Sequence, residues 1–355
     1  MYKAVPLDST KAEHGLDHKS FLFLAGALLG VPLAVWFRFS VTVDPATGGL
    51  RYQPLGPVET LAKSALLVGT LCLIGFFFWL VERTWPEDAE QTVAADDRRL
   101  NALYLVLNQC VMVRVAATVL VAVASGFTLM HLPRIPSSWI EMQPIWLQTL
   151  EIALLKDFLG YWNHRMFHTV PALWRFHAVH HSSEQVHWFS ATREHPFEQI
   201  VGKMVTVLPL YLLGFPLTVL GPFVGFWLIY LMFLHANVNC SFGPIVRYLV
   251  VSPAFHRWHH TNEEQALDRN YATLLPIWDF LFRTAYFPKN AHPKSYGLYK
   301  ETMPTGFWAQ FLYPFRRAAR PADVDLPAKT VPTAPPVPEP NKEPITAPDR
   351  THQPV

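Results

Sequence analysis

Eleven of the 16 histidines fall between His164 and His260, in three groups whose spacing limits how the chain can fold. His164 and His168 stand at i, i+4; His177, His180 and His181 at i, i+3, i+4; and His256, His259 and His260 repeat the second spacing. On helices each group points one way, so the three groups call for helical segments brought to one place. Neutral imidazole suits iron, zinc or copper. The three groups supply eight nitrogens, too many for one zinc, which takes about four ligands, and about right for two ions.

The rest of the chain is greasy. Half of its residues, 51%, are hydrophobic and 16% are charged, against roughly 25% in an ordinary globular protein. This composition predicts an all-α integral membrane protein of about four transmembrane helices. The first span is placed at Phe21 to Phe39 and the second at Leu61 to Val81, where Lys63 sits near one end. The third lies within Leu100 to Leu129, which Arg114 interrupts, and the fourth, from Ile145 to Leu155, runs directly into His164. Between Met204 and Leu234 there is no charge, but Pro209, Gly214-Phe215-Pro216 and Gly221-Pro222 break the run and predict a re-entrant helical hairpin.

The mixed charges of residues 1–20 predict a polar segment ahead of a retained anchor rather than a cleaved signal. Placing its lysines in the cytoplasm puts all three histidine groups on the cytoplasmic face, as a helical histidine-rich cap on the membrane helices. The organisation expected is thus a polar segment at 1–20, a membrane anchor at 21–144, a catalytic region at 145–300 and a disordered tail at 321–355, which holds ten prolines. The formal net charge of +2, with no dense basic run, argues against a nucleic-acid partner. Cys72, Cys110 and Cys240 are widely spaced in apolar surroundings, which suits free thiols.

Other metal chemistries do not fit. A zinc protease needs HExxH, and the first pair reads HRMFH with Arg165 in the place of the base. A ferritin-like site needs two Glu-x-x-His motifs and only Glu184 to His187 matches, while a bis-histidine haem leaves the repeats unused. His235, at the end of the uncharged stretch, and Asn239, four residues on, are candidate ligands from the membrane side. His195, beside Arg193-Glu194, is a candidate ligand or orienter, and Asp157, Glu194, Asp268 and Asp279 are candidates to fix ligand rings. His131, His187 and His292 read as ordinary surface or core residues, and Trp162, Trp174, Trp188, Trp258 and Trp278 as an interfacial belt.

The motifs DFLGYWNHRMFH, LWRFHAVHHSS, REHPFE, SPAFHRWHH and DRNYATLLPIWDFLFRT, from about Leu147 to Phe287, resemble those of the fatty acid hydroxylase and sterol desaturase superfamily. The resemblance implies a membrane-bound enzyme with two iron ions held mainly by histidine, which uses O2 to attack a C–H bond of a lipid. Carried over by motif, the ligands are His164, His168, His177, His180, His181, His256, His259 and His260, with His235 and Asn239 as further membrane-side ligands. Asp268 to Tyr271, including Asn270, and Trp278 with Asp279 correspond to the supporting shell. Ala272 and Arg283 stand where relatives often have glycine. No HPGG-type haem segment or flavin fold is evident, so the implied electron donor is a separate protein, cytochrome b5-like or a ferredoxin with its reductase. A membrane metal-handling or transport protein is the competing reading, but it predicts ligands strung along the spans rather than in polar segments after them.

Overall fold

The computed structural model describes residues 39–43, 50–54, 56–130, 138–288 and 291–316. Most of the predicted first span, His131, and the proline-rich tail lie outside these residues. The chain is dominated by helices, and it departs from an all-α expectation at one place. Phe39–Val43 and Leu50–Pro54 form an antiparallel hairpin in which Phe39 faces Pro54 and Val43 faces Leu50. The β-branched Val41, Thr42 and Val43 favour an extended chain, and the Asp44-Pro45 and Gly48-Gly49 pairs lie between the strands.

Proline begins several of the helices, where its missing N–H has no partner to lose: Pro57–Thr84, Pro171–His181, Pro196–Thr206 and Pro253–His260. The predicted second span lies inside Pro57–Thr84, and the third inside a continuous run made of Ala95–Leu105, a π-helical segment Val106–Met112 and Val113–Leu129. The predicted fourth span and the first histidine pair share one helix, Ile145–Thr169. Among the described residues one helix, Leu217–His235, is long and apolar enough to cross a membrane.

The uncharged stretch is two-armed as the sequence predicts, with one correction. Pro196–Thr206 and Leu208–Leu212 form one arm, Gly214 turns the chain at φ 101, and Leu217–His235 forms the other. Pro222 does not break that second arm. It removes one helical hydrogen bond near the start, and apolar surroundings favour keeping the rest of the backbone paired within the helix. At about 1.5 Å per residue the second arm is about 28 Å long, close to the thickness of a bilayer's hydrocarbon core of about 30 Å. Both arms nevertheless end at the histidines: Glu198 on the first contacts His177, and His235 on the second faces His180.

A second correction concerns the tryptophans. Trp162 is exposed, but Trp258 is buried, Trp278 donates to Asp157, Trp174 donates to Glu301, and Trp188 stacks on the buried Phe78. They pack the histidine-rich region rather than girdle it. The Trp188 turn is held by the helix before it: a Cβ at Gly75 would come within 3.3 Å of the indole, and Glu82 accepts hydrogen bonds from the backbone N–H groups of Trp188 and Asn237.

Candidate metal centre

Nine histidines converge into two adjoining clusters. His164, His168, His177, His181 and His259 form one, His180, His235, His256 and His260 the other, and within each the ligand atoms lie within 4.8 Å of one another. The i, i+3, i+4 groups do not each serve one place, as a single helix face suggests. His177 and His181 join the five-histidine cluster while His180 between them joins the four; His256 and His260 join the four while His259 joins the five. A helix advances about 100° per residue, so i and i+4 project together and i+3 projects to their side. Two helices that exchange their middle histidine in this way hold the clusters against each other, with the His181 and His260 rings stacked 4.5 Å apart.

Most of the rings are oriented from behind. His164 Nδ1 donates to the Tyr271 carbonyl (2.8 Å), His259 Nδ1 to Arg269 (2.8 Å), His235 Nδ1 to Leu231 (2.8 Å) and His180 Nδ1 to Arg193 (3.2 Å). A carbonyl only accepts, so in a neutral ring each of these histidines carries its proton on Nδ1 and turns a lone pair on Nε2 inward. His177 Nδ1 is held by Glu198 at 2.5 Å, and His168 Nδ1 lies 3.4 Å from Asp268.

The inward nitrogens crowd. Nε2 of His164 lies 3.1 Å and Nε2 of His181 3.2 Å from Nε2 of His177; in the other cluster the spacings are 3.2 Å (His180–His235), 3.4 Å (His235–His256) and 3.1 Å (His256–His260). Lone pairs facing one another at such distances repel unless a cation lies among them. With metal–imidazole bonds of about 2.0–2.1 Å, neighbouring ligand nitrogens are expected about 3.0–3.4 Å apart. Nε2 of His168 and of His259 is buried with no hydrogen-bond partner. The residues present therefore fit metal ions, one at each cluster. Burial favours the neutral, ligating form: it lowers His177 to about 3 and holds His180, His181, His256, His259 and His260 well below 6.5.

The remaining sequence candidates lie elsewhere. Asn239 is exposed and its backbone N–H donates to Trp85, while the buried Asn237 exchanges hydrogen bonds with Asp88. His195 spends both ring nitrogens, one capping the helix it precedes through Phe197 N–H and one on the Phe311 carbonyl. Asp157 accepts from the N–H groups of Leu274 and Leu275 and from Trp278, and Asp279 from those of Tyr271 and Ala272 and from Thr284. The two carboxylates thus shape the 271–275 loop that presents a carbonyl to His164. Asn270 and Asp268 hold left-handed conformations (φ 58 and 56), and Asn270 is braced by Phe255 and Tyr286. Arg283 is also left-handed (φ 59), a conformation that favours glycine. Glu198, which contacts His177 directly, was not singled out by spacing, although it lies in the REHPFE motif two residues after Pro196.

The family model described as fatty acid hydroxylase matches residues 149–284, which contain every histidine of both clusters. Over that region the chain is similar to fatty acid hydroxylase domains. Among curated proteins the chain is 31% identical to an ornithine lipid hydroxylase, OlsE of Rhizobium tropici, over 51% of this chain and 54% of that protein. It is 32% identical to alkylglycerol monooxygenase of Danio rerio over 58% of this chain and 44% of the relative. A rice protein named very-long-chain aldehyde decarbonylase GL1-5 is 30% identical over 36% of this chain and 22% of its own length. The matches thus span about half the length of the first two relatives. No solved structure matches the chain.

Proposed function

We propose that the chain is a membrane-bound oxygenase whose two histidine clusters hold a pair of non-haem irons, and that it uses O2 and electrons from a separate protein to hydroxylate a lipid. The observation that carries this reading is the pairing of five and four inward imidazoles, an all-nitrogen donor set of the kind that suits iron and exceeds the needs of one zinc. When bound, the irons would supply the reduction of O2 that C–H oxidation requires. The balance is one O2, two electrons and two protons per C–H bond, with one oxygen atom retained in the alcohol and the other released as water.

The protein's own contribution is positional. The Tyr271, Arg269, Leu231 and Arg193 carbonyls and Glu198 fix the ring planes, and burial of both clusters keeps bulk water away. Leu217–His235 carries apolar side chains such as Phe226 and Ile229 on its exposed face and ends at the metal ligand candidate His235. A lipid lying along that helix would reach the site from the bilayer. The relatives' names support hydroxylation of a polar lipid in preference to desaturation of a sterol. The lysine and arginine bias of the sequence supports a multi-pass topology with the clusters on the cytoplasmic side.

Lipid profiling of cells with and without the chain tests this reading. The expected result is a lipid heavier by one oxygen, formed only with O2 and absent with His180→Ala. A full yield of product from His180→Ala, or metal flux without any oxidised lipid, would contradict it.

A further inference from the structure

A polar stripe on Ala95–Leu105 and the π-helical segment after it is buried against the family-matched region without belonging to either cluster. Asn101 and Asn108 are fully buried, and between them the helix widens to its π-form. Such widening is frequent at functional sites. Asn108 Nδ2 donates to the carbonyls of Thr192 (2.8 Å) and Glu194 (2.9 Å), the two residues that flank Arg193. The carbonyl between them, that of Arg193, accepts from His180 Nδ1 at 3.2 Å. Three successive carbonyls are therefore assigned, two outward to one asparagine and one inward to a histidine of the four-histidine cluster.

The Arg193 side chain completes the arrangement. Its Nε donates to Asn101 Oδ1 (2.7 Å), its far nitrogens pair with the Asp97 carboxylate and reach Ser182 Oγ (3.5 Å), and Asn101 Nδ2 donates to Asp97 (3.1 Å) and lies 3.0 Å from His187 Nε2. Ser182 directly follows the helix that carries His180, so Arg193 grips both that helix end and, through its own carbonyl, the ring of His180. A buried arginine and two buried asparagines are an expensive way to pack a helix when apolar residues would serve. Fixed direction is what they add, and here the direction is that of a carbonyl that sets which nitrogen of His180 faces the cluster.

We infer that Asp97, Asn101 and Asn108 are positioning residues that act through Arg193 on His180, so that the four-histidine cluster is completed by a segment outside the family-matched residues 149–284. The inference rests on the reading that the clusters hold metal. It is specific to one cluster, because the five-histidine cluster takes its orienting groups from Glu198, Tyr271 and Arg269.

The test is titration of the metal-free full chain in detergent with Co2+, followed by equilibrium dialysis and visible absorption. Wild type is expected to bind two equivalents. Asp97→Asn and Asn108→Leu should bind the first as wild type does and the second about 10–100-fold more weakly, the range usual for loss of an orienting partner. Asp97→Glu should recover part of the loss. Asp96→Asn, at a neighbouring exposed acid paired with Arg99, should change neither. Two equivalents at wild-type affinity in both Asp97→Asn and Asn108→Leu, or equal weakening of both equivalents, would overturn the inference. Fewer than two equivalents in wild type would overturn the metal reading itself, and this inference with it.

Discussion

His177 takes its orientation from a carboxylate 21 residues later in the chain, and the single contact to Glu198 decides which of its nitrogens faces the cluster. Glu198→Ala should weaken metal binding at the five-histidine cluster about 10–100-fold, and Glu198→Gln less, since an amide oxygen still accepts from Nδ1; dialysis against Co2+ measures both. His195→Ala should leave metal content unchanged and cost about 1 kcal/mol of stability as a lost helix cap, read from thermal unfolding. The buried histidines also set a pH dependence. Their folded values lie below the unfolded value near 6.5, so below that pH the unfolded chain binds more protons than the folded one. The metal-free protein should therefore lose stability progressively as pH falls from about 6.5 toward 3, by up to about 1.4 kcal/mol per pH unit for each such histidine. A melting temperature that stays flat between pH 7 and 5 would contradict this.

At the scale of elements, the 268–284 segment links carboxylates to ligands through backbone. Asp279 holds two N–H groups on the stretch whose Tyr271 carbonyl orients His164. Asp279→Ala should leave both donors unpaired, at about 1–3 kcal/mol each, and weaken the five-histidine cluster selectively, as thermal unfolding and Co2+ titration would show. The helices and the clustering of potential ligands were legible in the sequence because period and spacing are local properties: His164 and His168 sit on one helix as their spacing requires. The division of each i, i+3, i+4 group between two clusters was not legible, since it depends on where a second helix crosses the first. Nor was the role of Asp157 and Asp279, whose partners are backbone groups of a distant loop that no residue pattern announces. Asn239 and Asn237 illustrate the same limit. Helical spacing from His235 picks out Asn239, but the helix ends at His235 and the chain beyond it turns Asn237 inward instead.

For the molecule as a whole, the path of residues 196–235 leaves the histidine clusters at Glu198 and returns to them at His235 along a membrane-length helix. The exposed face of Leu217–His235 is apolar, and the Pro57–Thr84 helix likewise exposes Leu61, Leu66, Leu73 and Phe76. Ile229→Lys, at a residue 43% exposed near the middle of the long arm, should lower the amount of chain recovered in the membrane fraction, because a lysine at a helix centre costs about 2.5–3.5 kcal/mol on insertion. Unchanged recovery in fractionated, carbonate-washed membranes would place that face against something other than lipid. The iron content of the full chain, with Mössbauer spectra, tests the two-cluster centre most directly. Two irons per chain are predicted, falling to one when His256 and His260 are both replaced by alanine; one iron in the loaded wild type, or two retained in that variant, would contradict the account.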